Sequence, residues 1–296
     1  MAKDLYAEVT QRIVEMLEAG VVPWRCPILG KGTAGWPKSL VSGKKYRGVN
    51  VFLLALTAWS KGYSSSCWLT FNQARDRGGS VKKGEKSSLV VFWKWFDTKD
   101  QETGEAVRVP VLRHYNVFNA EQCNGIEVPD VPAFEPVAFT PIEQAERIVS
   151  GYEGGPKVEH GGSLACYLPL SDLVRVPEPE RFISAEAYYS TLFHELAHST
   201  GHSGRLNRGI DVDLAPFGSP DYGKEELVAE MAAAFLSGTC GIQPATIENS
   251  AAYVQGWIKT LKGDKRLAVH AAGAAQKAAD WVQGVRPGTP EPAASE

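Results

Sequence analysis

The chain has 296 residues, 44% of them hydrophobic and 22% charged, a globular balance that excludes a largely disordered protein and is long enough for two domains. No apolar run approaches the roughly 20 residues needed to cross a bilayer, so no membrane partner is expected. The net charge of −3 hides an asymmetry: residues 1–134 carry 18 Lys/Arg against 13 Asp/Glu, and residues 135–296 carry 13 against 21. An anionic partner for the N-terminal half is the natural implication.

The first helix is predicted from Leu5, Val9, Ile13 and Leu17, which recur every four residues before Gly20. Its acidic, amphipathic start lacks the pattern of a secretory signal. A Pro-, Gly- and Trp-rich loop follows. A second apolar helix is predicted from about Asn50 to Lys61, stopped by Gly62, and a short one over Thr70–Arg77, ended by Gly78–Gly79. The runs SLVVFWKWF and VRVPVLRHYNVF, separated by a polar stretch, read as paired antiparallel strands.

Four prolines in EVPDVPAFEPVAFTP mark a linker. Beyond it a helix is expected at Ile142–Ser150 and a strand around Ser163–Leu170. Helices are then expected at Ser184–Thr200 and Gly223–Leu236, with a C-terminal pair over Ala251–Gly284. The resulting division is a domain over 1–128, a linker over 129–141, a second domain over 142–285 and a disordered tail over 286–296. Five widely spaced cysteines (Cys26, Cys67, Cys123, Cys166, Cys240) form no CxxC pair, which fits a reducing cytoplasm.

The sharpest motif is H-E-x-x-H at His194, Glu195 and His198. Residues i and i+4 of a helix share a face, so both imidazoles can reach one ion, while Glu195 can take a proton from a metal-bound water. A surface helix that merely carries two histidines is the plainer alternative. Ser184 as N-cap and Gly201 as stop favour an intact helix and a metal site. Gly204 stands where a metzincin would place its third histidine. A gluzincin-type arrangement instead takes Glu226 as third ligand and Glu230, one turn on, as the acid that orients a ligand histidine. Solvent-facing charges are the bland reading of both, and Glu225 and His202 are the alternative ligands. Tyr222 and Tyr253 are candidate oxyanion stabilisers. The strand-like SLACYLPL could pair with an extended peptide substrate or be a plain core strand.

Between Trp24 and Trp95, 13 basic residues face only Asp76 and Glu85, and 12 aromatic residues are interleaved between Trp24 and Phe96. Cations can track a phosphate backbone while exposed rings stack on unpaired bases, which favours single strands over duplex DNA. Some of these rings must fill a core, Phe52 and Trp59 among them. Trp24, Trp36 and Tyr46 lie in loops where exposure is expected.

The run from Ser39 to Phe96, SLVSGKKYRGVNVFLLALTAWSKGYSSSCWLTFNQARDRGGSVKKGEKSSLVVFWKWF, resembles the N-terminal domain of ArdC-type antirestriction proteins. HELAHSTGHSGRLNR with YGKEELVAEMAAAFL resembles their C-terminal zincin-like domain, so the resemblance runs from about Leu5 to Leu236. It implies an α+β protein: a mixed helix and antiparallel-strand domain that binds single-stranded DNA, linked to a mainly helical zincin-like metallopeptidase domain. It further implies a plasmid-borne, conjugation-associated role in shielding entering DNA from host restriction enzymes.

Carried over by position, the ligands of Zn²⁺, or alternatively Mn²⁺, fall on His194, His198 and Glu226, and the catalytic glutamate on Glu195. Together with the charge pattern, the resemblance makes Trp24, Arg25, Lys44, Lys45, Tyr46, Arg47, Asn50, Trp68, Lys82, Lys83 and Lys86 the candidate DNA contacts. A restriction subunit or another DNA-bound protein is the candidate substrate. A DNA-occluding protein with a structural metal and a protease for DNA–protein crosslinks, as in SprT-like proteins, are the alternatives. A nuclease fits less well, because H-E-x-x-H lacks clustered carboxylates.

Overall fold

The N-terminal helix α1 (Leu5–Glu18) starts at Asp4, whose carboxylate accepts a hydrogen bond from the Ala7 amide, and buries Val9, Ile13, Val14 and Leu17 along one face. A computed structural model describes residues 4–25, 35–99, 105–127, 141–211, 220–242 and 251–286. Cys26, nearly all of the expected linker and all of the expected tail but Arg286 lie outside them, as do the side chains of Tyr222 and Tyr253.

Two further helices and six strands complete the N-terminal half. They are β1 (Lys38–Ser39), α2 (Val49–Lys61), β2 (Cys67–Thr70), α3 (Phe71–Asp76), β3 (Ser80–Val81), β4 (Ser88–Lys99), β5 (Ala106–Asn119) and β6 (Cys123–Asn124). The main sheet has the order β1-β2-β5-β4, with β1 and β2 parallel and the other pairs antiparallel. Strands β3 and β6 pair separately. As the sequence predicts, β4 and β5 form an antiparallel ribbon, α2 stops at Gly62 in the left-handed region, and a short helix precedes Gly78–Gly79; the structure adds a Thr70–Gln73 capping box at the start of α3.

Gly79 lies where this part closes on itself. A Cβ there would stand 2.4 Å from Ile126 Cδ1 and 2.7 Å from the Asn124 carbonyl oxygen. The carbonyl belongs to the backbone and cannot swing away. Gly79→Ala should therefore cost about 1–3 kcal/mol, read as a lower midpoint in urea unfolding with an unchanged slope.

The C-terminal half contains α4 (Pro141–Ser150), β7 (Lys157–His160), β8 (Cys166–Leu168), β9 (Leu173–Val176), α5 (Ala185–Ser199), α6 (Pro220–Cys240), α7 (Ala251–Gly263) and α8 (Leu267–Val282). The small sheet has the order β7-β9-β8, which leaves β8 on an edge beside α5. The expected strand at Ser163–Leu170 is thus shorter, and the two strands flanking it are too brief and too charged to stand out in the sequence. Helix α6 is buried between α5 and α8, as befits a helix apolar nearly all round. Alanines on α6 and α8 let the two backbones come close.

The two halves share one core. Buried Val9, Ile13 and Phe52 belong to the same cluster as Leu196, Phe235 and Ala272, and Phe52 stacks on Phe235 with ring centroids 4.8 Å apart. Helix α1 packs against α7 and α8 rather than against the N-terminal sheet alone. Lys265–Asp4 and Lys262–Glu18 pairs cross the same seam. Among the described residues no helix is long and apolar enough to cross a membrane.

Candidate metal centre and nucleic-acid surface

Helix α5 is set by Ser184, whose hydroxyl accepts a hydrogen bond from the Ala187 amide, and by the burial of Leu192, Phe193, Leu196 and Ala197 against its neighbours. That burial turns His194 and His198 toward α6, which crosses α5 and brings Glu226 opposite them. One ligand atom from each of the three lies within 4.8 Å of the others. His194 Nε2 and His198 Nε2 are 3.1 Å apart, and each is 3.5 Å from a Glu226 oxygen. Donors bound to a tetrahedral zinc at ~2.05 Å stand about 3.4 Å apart, so the donor set fits such an ion. Glu195 is buried on the same helix, and its charge acts on both His194 and the Cys166 thiol of β8.

The electrostatics of the pocket favour a cation. Burial pulls the His198 pKa down, yet hydrogen bonds to Glu225 and Glu226 outweigh it and push the group up to about 10. His194 is raised in the same way, against burial, by Glu226. Burial would raise Glu226, but both imidazoles hold it well below the usual carboxylate range. Two carboxylates facing two imidazoles leave negative charge that protons or one divalent ion can neutralise.

The carboxylate that orients a histidine is Glu225, not Glu230. Glu225 Oε1 lies 3.3 Å from His198 Nδ1, which leaves Nε2 turned to the pocket. Arg208 grips Glu225 with two hydrogen bonds, at 2.9 and 2.6 Å, and donates to Thr200 Oγ1 and the Ala197 carbonyl. Glu230 instead pairs with Arg25 at 3.2 Å. His202 faces Asp211 at 3.6 Å and accepts from the Gly204 amide, so it is not one of the clustered donors. Arg208 escaped sequence reasoning altogether. The only signal for it was its place in the loop directly after the motif helix.

The expected DNA contacts divide. Lys44, Lys45, Lys82, Lys83 and Lys86 are exposed. Trp24 and Trp68 are not: both are fully buried, Trp24 edge-on to Trp257 and Phe52, and Trp68 against Leu54 and Val117. Neither can stack on a base. Tyr46 is half-buried against the Trp68 cluster, and burial pushes its hydroxyl up to about 12. Arg25 holds Glu230 and lies over the Trp257 ring, while Arg47 pairs with Asp280 of α8. The Gly48 amide donates to Gln276, also on α8.

Asn50 ties α2 to β4, donating to the Val91 carbonyl at 2.7 Å and accepting from the Val91 amide at 2.8 Å. This corrects its reading as a DNA contact. Asn50→Ala should cost about 1–3 kcal/mol in thermal unfolding while the salt dependence of DNA affinity stays as in wild type.

The comparisons with known proteins agree with this arrangement. The N-terminal domain of anti-restriction factor ArdC matches residues 3–118, and a zincin-like metallopeptidase domain matches residues 143–274. An uncharacterized protein of Sinorhizobium fredii, y4eC, is 36% identical over 94% of this chain and 91% of its own length. DNA primase TraC of Escherichia coli is 35% identical over 95% of this chain, which spans only 20% of that primase. The metal-free crystal structure of antirestriction ArdC from plasmid R388 is 38% identical, with a TM-score of 0.76 over 96% of this chain and 98% of that one. Its Mn(II)-bound structure superposes with a TM-score of 0.75. A metal-bound relative of that similarity, together with three donors clustered here, makes this a divalent-metal fold. On sequence, domain order and structure alike, the chain belongs to the ArdC antirestriction protein family.

Proposed function

We propose that this chain is an antirestriction protein. Its N-terminal half binds single-stranded DNA entering by conjugation and shields it from host restriction endonucleases. Its C-terminal half is a metal-dependent peptidase acting on a DNA-bound protein such as a restriction subunit, and both act in the cytoplasm. What carries the reading is the cluster of His194, His198 and Glu226 with buried Glu195 beside it, in a chain whose solved relative is named for antirestriction. The exposed lysines at 44, 45, 82, 83 and 86 support the DNA half.

His194, His198 and Glu226 would hold Zn²⁺, the ion that the nitrogen and carboxylate donors suit, or alternatively Mn²⁺. Bound there, a divalent ion would supply Lewis acidity toward a water and a carbonyl oxygen. Glu195, buried beside these donors, would be the carboxylate that accepts a proton there and passes it on to a leaving amine. Glu225, fixed by Arg208, keeps His198 in one tautomer and one orientation. The free edge of β8 receives an extended substrate by strand pairing.

The test is a conjugation assay in restricting and non-restricting recipients, with and without the protein. Transfer into the restricting host should rise with the protein present, and transfer into the other should not. Equal transfer into the restricting host with and without it would sink the reading.

A further inference from the structure

The ribbon of β4 and β5 pairs from Ser88↔Val117 to Lys99↔Ala106, but only its base is covered. Leu89, Val90, Val91 and Val117 are buried against α2 and the shared core. From Phe92 onward no residue of β4 is buried, and on β5 from Ala106 to Asn116 only Leu112 is. A two-stranded ribbon is marginal by itself in water; one face of this one leans through Trp93 and Leu112 on Tyr6, His270 and the core, and beyond that Trp95 and Tyr115 are exposed by more than half.

The side chains on one face say what would cover it. Residues two apart on a strand share a face at steps of about 6.7 Å, so Phe92, Lys94 and Phe96 form a row of ring, cation and ring. Across the ribbon, Arg113 lies opposite Phe92 and Tyr115 opposite Val90, on the same face. The Tyr115 and Phe92 rings stack with centroids 4.5 Å apart and planes 5° apart. Lys94 and Arg113 stand 5.2 and 5.3 Å from the Phe96 centroid. The described ribbon residues 92–99 and 105–116 carry Lys94, Lys99, Arg108 and Arg113 against Asp97 and Glu105. Rings for bases and cations for phosphates are the mixture that suits an unpaired strand, whereas duplex DNA keeps its base faces hidden. Meanwhile Trp24, Trp68, Arg25 and Asn50 are engaged inside the molecule, and Arg47, though half exposed, is paired with Asp280.

We infer that single-stranded DNA docks along this ribbon face, with bases stacking on Tyr115 and Phe96 and phosphates meeting Lys94 and Arg113. The inference rests on the proposed DNA function and moves its main contact from the loop around Tyr46 to the β4–β5 ribbon.

Fluorescence anisotropy of a labelled dT20 oligonucleotide with the full-length protein tests it. Phe96→Ser with Tyr115→Ser should weaken binding by about tenfold or more. Lys94→Gln with Arg113→Gln should reduce the slope of log affinity against log salt by about 1.4. Both should melt within a few degrees of wild type, because these side chains line an open face. Photocrosslinking of a 5-iododeoxyuridine oligonucleotide to the wild type should label peptides containing Phe92–Phe96 or Tyr115, which needs no variant to fold.

Wild-type binding with both variants unaffected, or crosslinks only at Lys44–Arg47 or Lys82–Lys86, overturns the ribbon and leaves the DNA function standing. No binding of dT20 by the wild type overturns both. If light scattering finds a wild-type dimer that the ring variant splits, the ribbon joins two copies of this chain and the inference also falls.

Discussion

Arg208→Met is expected to destabilise the protein by about 3–5 kcal/mol, because it strands a largely buried carboxylate. Burial pushes the Glu225 pKa up, and it is Arg208 and His198 together that hold this group low. With the guanidinium gone, Glu225 keeps the 3.3 Å contact to His198, Thr200 Oγ1 loses the donor it accepts from, and the Ala197 carbonyl keeps only its bonds from Thr200. The same substitution loosens the orienter of His198, so affinity for Zn²⁺ should fall about 10–100-fold.

A double variant separates these two effects. Arg208→Met with Glu225→Leu removes both charges and should recover much of the stability, since replacing a buried pair by apolar groups is often near neutral. Metal affinity should not recover, because the double variant takes the Glu225 acceptor away from His198 Nδ1 altogether. Thermal unfolding followed by circular dichroism reads the first quantity, and chelator competition reads the second. If zinc affinity returned along with stability, Glu225 would have no part in positioning His198.

That pair also marks where the sequence stops being readable. The i,i+4 spacing of Glu226 and Glu230 points to two acids on one face of α6, which is sound helix geometry. What it cannot contain is that Arg25, 205 residues away, claims Glu230. Glu225 lies about 100° around the helix from Glu226, and only the crossing of α6 over α5 turns it to the second nitrogen of His198. The elements whose partners are local were legible: α1 from its four-residue repeat, α3 from the Gly78–Gly79 stop, the β4–β5 ribbon from two apolar runs, and α5 from Ser184 and the motif it carries.

Within Tyr46–Asn50 the same kind of distant partner is invisible to spacing. In the sequence, a lysine-rich loop with an aromatic and an arginine looks like a nucleic-acid contact. In the fold, Arg47 and Gly48 reach Asp280 and Gln276 at the other end of the chain, and Asn50 reaches Val91. Trp24 was misjudged because Pro- and Gly-rich loops are usually exposed. Here a short turn of 3-10 helix, Pro23–Arg25, is covered by α7. Each error is a non-local contact that no spacing rule encodes.

Glu195→Gln should lower the rate of protein cleavage about 10²–10⁴-fold while metal content, melting temperature and DNA affinity stay unchanged. The glutamine has nearly the same shape, so the buried site remains filled. Glu195 is not one of the clustered donors, so His194, His198 and Glu226 remain able to hold the ion. What is lost is a carboxylate able to accept a proton beside them. The measurement is cleavage of an unfolded substrate protein with and without single-stranded DNA, alongside metal analysis of both proteins. Loss of metal in the variant would make Glu195 a ligand and not a base. Equal cleavage by both would remove it from the chemistry. If neither protein cleaves although both retain metal and bind DNA, the ion braces α5 against α6, and protection has to come from covering the strand.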